Sequence, residues 1–135
     1  MSGLTVDRRL AAPPDRVWRA LTDADALASW FWPPRFAATA RVEAREGGVF
    51  RVVSEPVGIG VTGRVTTVEP SRLLATTWRW DGDDDETAVA FSLEPSGEET
   101  VLTVRHDGFP TDDAAREHEQ GWNDCLDRLP AALGH

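Results

Sequence analysis

The chain has a single cysteine, Cys125, no tyrosine and no lysine, all fourteen of its basic residues being arginine. One thiol excludes an internal disulfide and any cysteine-clustered metal site, so Cys125 reads first as a small buried core residue. No apolar run approaches the roughly 18 to 20 residues a membrane span needs. The start, MSGLTVDRRLAAPPD, lacks the basic stretch and apolar stretch that mark export, and a cytoplasmic protein without a membrane role is expected. Positive charge is also scarce, 14 basic against 23 acidic residues leaving a formal charge of -9 at pH 7. Such a surface repels a phosphate backbone, which argues against nucleic acid and anionic membranes as partners.

Catalytic signatures are missing too. There is no G-x-S-x-G elbow, no H-E-x-x-H pair and no phosphate-binding loop, and the three histidines lack metal-ligand spacing. His118 and Cys125 share a helical face but stand two turns apart, roughly 10 Å, too far for a thiolate and imidazole pair. No catalytic residue, metal ligand or cofactor is expected on these grounds.

Two stretches imitate known sites. GIGVTG, from Gly58 to Gly63, satisfies G-x-G-x-x-G and has Asp81 and Asp83 downstream, as a dinucleotide fingerprint would. That fingerprint needs a helix to begin inside it, whereas RVTTVEP continues with β-branched strand formers, so the glycines mark a bulge or bend in a curved strand. DGDDDE, Asp81 to Glu86, has Glu86 and Ser92 where a calcium loop needs glycine and glutamate, and reads as a solvated hairpin turn.

What remains is a globular composition, 41% hydrophobic and 27% charged over 135 residues, expected to form one domain over residues 1–135. Leu4 to Leu10 suits a first strand. Pro14 and Asp15 then open a helix with Val17 and Leu21 on one face, and a second follows in TDADALASWFW, with Thr22 or Asp23 as its cap, until Pro33 and Pro34 stop it. From Ala38 onward TARVEAR, GGVFRVV, GVTGRVTTVEP, LLATTWRW, TAVAFSLEP and TVLTVRH predict about six more strands in an antiparallel meander. A period of two sets Arg51, Arg79 and Arg105 on the outer face, opposite Phe50 and Val52, Trp78 and Trp80, and Leu102 and Val104. The final segment places His118, Trp122, Cys125 and Leu129 on one helical face, with a kink or an end at Pro130. One strand, two short helices, six strands and one long helix make an α+β fold in which a curved sheet wraps the last helix.

Six tryptophans are a heavy load for so short a chain, and a helix clasped by a sheet can leave an apolar cavity among them. Gly121, mid-helix at a cost of about 1 kcal/mol against alanine, fits a close backbone approach, ligand space beside Trp122, or plain tolerance. His106 falls on the inner face of the last strand and His118 on the apolar face of the last helix, where hydrogen-bonded core or rim histidines are the plain reading.

APPDRVWRALTDADALASWFWPP, GGVFR, EPSRLLATTWRW, HDGFP and GWNDCLDRL resemble, in this order, the motifs of the activator of ninety-kilodalton heat-shock-protein ATPase homologue family, within the START-like, birch-pollen-allergen-like (SRPBCC) superfamily. The resemblance covers nearly the whole chain. It implies a helix-grip fold, seven antiparallel strands curled round the C-terminal helix, with two short helices closing one end and a deep hydrophobic cavity between. The helix containing ASWFW then resembles a gate at the cavity mouth, its alternative being a plug for the end of the core. The function this implies is binding or carriage of a small hydrophobic or aromatic molecule. The expected lining is Trp30, Phe31, Trp32, Phe50, Trp78, Trp80, Phe91 and Trp122, with His106, His118 and Cys125 beside them. Two alternatives stand: an aromatase/cyclase-like enzyme using His106 or His118 as general acid or base on a polyketide, and a protein that contacts a chaperone or regulator. No sequence stripe demands a dimer, so monomer and homodimer both stay open.

Overall fold

The computed structural model describes residues 2–133; Met1, Gly134 and His135, a histidine from which the sequence offers no signal, lie outside them. Strand β1 (Ser2–Leu10) leads into α1 (Pro14–Thr22) and α2 (Ala24–Phe31), and a 3-10 turn spans Pro34–Phe36. The sheet continues with β2 (Thr39–Val42), β3 (Val49–Ser54), β4 (Ile59–Glu69), β5 (Leu73–Trp80), β6 (Thr87–Ser96) and β7 (Glu99–Phe109), and α3 (Asp112–Leu133) ends the fold. Every pairing is antiparallel and the strand order is β1-β7-β6-β5-β4-β3-β2. β2 to β7 thus form a run of hairpins, and β1 returns to pair with β7. This is the expected α+β helix-grip arrangement: a curved seven-stranded sheet, two short helices after the first strand and one long helix at the end.

Local chemistry accounts for the helix boundaries. Pro14 occupies the first position of α1, where its missing N–H costs nothing, and Asp15 sits in the positive first turn. The helix ends at Asp23, which then caps α2 by accepting from the Ala26 amide at 3.0 Å. Val17, Leu21 and Leu27 are fully buried on the joint inner face of the two helices. α3 does not stop at Pro130 but runs through it to Leu133, so the missing N–H falls only in its final turn. It lies against β1 and β7 and also meets α1 and α2.

The strands bury alternate residues as their period requires. Phe50 and Val52, Leu74, Thr76 and Trp78, and Leu102, Val104 and His106 face the core, while Arg79 and Arg105 are exposed. No helix begins in the GIGVTG stretch. It lies in β4, where the ladder to β5 lapses between Thr62 and Val65 and a second irregularity follows before Thr67. The Arg64 amide turns to Thr77 Oγ1 at 2.8 Å, and a Cβ on Gly63 would land on the Thr77 carbonyl oxygen. Gly63 therefore permits a close approach at which the sheet bends. In the acidic loop, Asp81 is tied down, its carboxylate taking two bonds from Arg51 at 3.0 and 2.9 Å. The Arg51 guanidinium holds the Asp81 carboxyl below its ordinary range. Among the described residues no helix is long and apolar enough to cross a membrane.

Among the described residues four polar ones lie buried, Ser54, Thr76, Thr100 and His106, and each has a partner. Ser54 bonds the Phe36 carbonyl at 2.6 Å, Thr100 the Ala12 carbonyl at 2.7 Å and Thr76 the Thr77 carbonyl at 3.0 Å. His106 uses both ring nitrogens. Trp122 Nε1, which can only donate, reaches its Nδ1 at 3.1 Å. The ring proton therefore sits on Nε2, facing Thr87 Oγ1 at 2.6 Å, and Thr87 donates on to the Trp78 carbonyl at 3.2 Å. Burial, assisted by the nearby His118, pushes His106 down from 6.5 to about 3. It is a neutral imidazole built into the core.

Two outcomes follow. Gly63→Ala drives a methyl group into backbone and should cost about 3 kcal/mol or more. Gly58→Ala, at a φ of +78° with nothing within 4 Å of its Cβ, should cost only about 1 kcal/mol; equal costs in urea melts would contradict the close approach at Gly63. For His106, both folded and unfolded states are neutral above about pH 6.5, and below it the unfolded chain takes up a proton that the folded one refuses. Stability should then fall by roughly 1.4 kcal/mol per pH unit toward pH 3 on this account. His106→Asn should start less stable at pH 7 and show a flatter decline, so the gap between the two proteins narrows on acidification; parallel pH profiles would refute the buried neutral state.

Candidate functional site

Between α3, β5 and the end of α2 lies a recess of about 290 Å³. β5 ends in TWRW, and its period of two sends Trp78 and Trp80 the same way, Arg79 the other. α3 presents His118, Gly121, Trp122, Cys125 and Arg128 at steps of three, one, three and three, a single helical face. Phe31 and Trp32 come from the point where α2 stops. A larger depression of about 580 Å³ on the outer sheet face is lined by Glu43, Arg64, Arg79 and Glu86 among others and offers a ligand little apolar burial.

The aromatic walls hold one another. Trp78 and Trp122 lie 5.2 Å apart between ring centres, and Phe31 meets Trp122 edge-on at 5.8 Å and Trp78 at 5.9 Å. Trp32 stacks on Trp80 at 6.2 Å and 16°. Trp80 Nε1 donates to His118 Nε2 at 2.9 Å, which leaves the His118 proton on Nδ1, toward the Ala114 carbonyl at 2.8 Å. Both nitrogens of His118 are thus engaged. Gly121 is open: a Cβ there would find nothing within 4 Å. A close backbone approach is therefore not the reason for this glycine, and its missing side chain widens the recess.

The proline pair explains how α2 is fastened. The carbonyl of Trp30 would ordinarily accept from residue 34, but Pro34 has no N–H, and Pro33 likewise leaves the preceding carbonyl without its helical donor. α3 supplies replacements. Arg128 Nε donates to the Trp30 carbonyl at 3.0 Å and Arg128 Nη2 to the Phe31 carbonyl at 2.8 Å, and the Cys125 thiol also donates to Phe31 O at 2.8 Å. Burial pushes the Cys125 thiol up to about 12, outweighing the opposing pull of Arg128. It stays protonated and acts as a donor, not a nucleophile.

Of the residues expected at the cavity, Phe31, Trp32, Trp78, Trp80, His118, Trp122 and Cys125 come together at the recess. Trp30, Phe50, Phe91 and His106 sit behind it in the core, each fully buried. Trp30 is the plug of the ASWFW stretch, its indole donating to the Ala20 carbonyl at 3.0 Å, while Phe31 and Trp32 supply wall. Glu117, Asp124 and Arg128 at the rim were not foreseen, although the three- and four-residue steps along α3 carry them. Among the described residues no group of His, Cys, Asp or Glu side chains is arranged to hold a metal ion. What the arrangement offers chemically is an indole-walled recess with a charged rim and with the ring nitrogens of its histidine already in use.

The fold recurs in proteins of solved structure. Protein CV1439 from Chromobacterium violaceum is 26% identical, with a TM-score of 0.86 over 98% of this chain and 97% of the other. The AHSA1 (SPO3351) protein from Silicibacter pomeroyi is 30% identical, with a TM-score of 0.79 over 99% and 100%. DynU16, described as a putative protein in the dynemicin biosynthetic locus, is 28% identical with a TM-score of 0.85, the match taking 98% of this chain but 47% of DynU16. No curated protein matches the chain. The model of the Activator of Hsp90 ATPase homolog 1-like protein family matches residues 11–134, and with the sheet, the helices and their order all in agreement, the chain belongs to that family.

Proposed function

We propose that the protein binds a small hydrophobic or aromatic molecule in the recess between α3 and β5. The observation that carries this reading is the wall itself: Trp32, Trp78, Trp80 and Trp122 converge on a space that Gly121 leaves unfilled. A volume of about 290 Å³ is at the lower edge of small-molecule sites and suits a compact ligand of roughly two fused rings. Burying roughly 300 Å² of apolar surface gains ~7 kcal/mol gross, about 10 μM before the cost of association is subtracted, so apolar burial by itself supports only weak binding, nearer millimolar. Binding is favoured over acid–base catalysis because His106 and His118 have both ring nitrogens committed and Cys125 is a protonated donor. The chaperone suggested by the family name and the biosynthetic locus of DynU16 describe other proteins, and nothing in the recess selects either for this chain.

Native mass spectrometry of freshly purified protein should show an added mass that is lost on denaturation, or a saturable quenching of tryptophan fluorescence by compact aromatics at one site per chain. Fatty acids, sterols and aromatics all failing to bind would end this reading. Gly121 sharpens the test. Gly121→Ala should raise stability by about 1 kcal/mol, because the helix gains and the new methyl meets open space, whereas Gly121→Leu should keep the fold and lose the ligand. Full binding by the leucine variant would place the ligand elsewhere.

A further inference from the structure

Among the described residues three arginines are half-buried, Arg8, Arg51 and Arg128. Arg8 has Asp127 at 3.2 Å and Arg51 has Asp81 at 2.9 Å. Arg128 differs, because among the described residues no carboxylate stands within ion-pair distance of it. Asp124 is one helical turn away, but its carboxylate takes the Gln120 amide at 3.0 Å. The way Arg128 is held leaves one end of it unused. Nε and Nη2 face the end of α2, donating to the Trp30 and Phe31 carbonyls, with the Cys125 sulfur 3.7 Å from Nη2. A guanidinium is planar, so Nη1 lies on the side away from those carbonyls, and its two N–H groups have no partner in the protein. Nor is Nη1 sealed in. Among the described residues the one buried side-chain nitrogen or oxygen without a partner belongs to Trp78, so the unpartnered Nη1 is open to solvent, in a residue that lines the recess.

An uncompensated cation at the rim of an indole-walled recess fits a ligand that is apolar at one end and anionic at the other. Glu117, the acidic residue at the far end of the rim, precedes Arg128 by roughly 16 Å of helix, beyond the reach of an exposed charge at physiological salt. The guanidinium is already fixed by two carbonyls, so pairing with an anion costs it little of the side-chain freedom that ordinarily cancels the gain of a surface ion pair. Resting on the ligand-binding reading above, we propose that the recess takes a compact aromatic carboxylic acid, its ring among Trp32, Trp80 and Trp122 and its carboxylate on Nη1 of Arg128. The ring supplies the apolar burial, which alone gives weak binding. The carboxylate stays at the rim, where it keeps part of its hydration and gains a charge-assisted hydrogen bond.

Three probes of similar shape separate the terms: naphthylacetate, its uncharged isostere naphthylacetamide, and the cation naphthylethylamine, titrated into the full chain with isotope labelling of the arginine side-chain nitrogens. At low salt the acid should bind about fivefold more tightly than the amide, the advantage should shrink as salt is added, and the amine should be weakest. The guanidinium signals of Arg128 should move with the acid and not with the amide. Arg128→Gln removes the charge and should bring acid and amide to equal affinity. If that variant fails to fold because α2 is no longer docked, the Arg128 signals of the native chain decide the matter. Equal affinity for acid and amide, or Arg128 signals that bound acid leaves unmoved, overturns the carboxylate assignment while leaving the pocket intact. Tightest binding of the amine overturns it as well and gives the rim to Glu117 and Asp124. Failure of all three probes to bind removes both the assignment and the reading on which it rests.

Discussion

The hydrogen bond from Trp122 Nε1 to His106 Nδ1 sets the position of the long helix over the sheet. Trp122 is the central side chain of α3, packed on Phe31, Trp78 and Phe91, and such a ring buries well only if its N–H finds an acceptor. β7 provides that acceptor as an imidazole kept neutral by its own burial. The pairing is mutual: a charged His106 has no lone pair to offer, and without Trp122 the imidazole would lack a donor. With the helix held at this point, the indole of Trp122 packs on Trp78 of β5 at 5.2 Å between ring centres, and the recess opens beside them toward Gly121. Its walls are already fixed by packing, so an entering molecule does not have to order them.

A second fastening joins three elements at the other end of the recess. Pro34 strips the Trp30 carbonyl of its usual donor and the end of α2 leaves that of Phe31 open, and Arg128 and Cys125 of α3 bond to these two. A proline that ends the helix thereby frees one of the two acceptors by which it is docked. Trp30, Phe31 and Trp32 divide in consequence: the first points back into the core, the other two face β5 and α3.

Much of this architecture is visible in the residue order. Strand β5 coincides with LLATTWRW, α1 starts at the expected Pro14, and the outward arginines fall where a period of two sets them, because half-buried strands and a proline-started helix leave strong local marks. The site is less legible. Trp30 and Trp32 are equally aromatic neighbours, and only the termination of the helix between them sends one inward and the other to the recess. Arg128 resembles any surface arginine until the carbonyls it serves are in place, and those carbonyls belong to residues nearly a hundred positions earlier. Gly121 admits three readings in one dimension, of which the open space around its Cα excludes one.

The pairing of β1 with β7 bears on how the chain reaches this structure in time. Leu4 lies opposite His106 and Leu10 opposite Thr100, whereas β2 through β7 pair with sequence neighbours. The hairpins can form locally and early, but β1, α1 and α2 have no sheet edge or helix to cover them until nearly the entire chain is available. Contacts of such long sequence separation slow folding, because loop closure is paid before packing rewards it. During synthesis on a ribosome the aromatic stretch ahead of the double proline is therefore made early and buried late, which places the interval of greatest aggregation risk in the nascent chain and not in the finished protein.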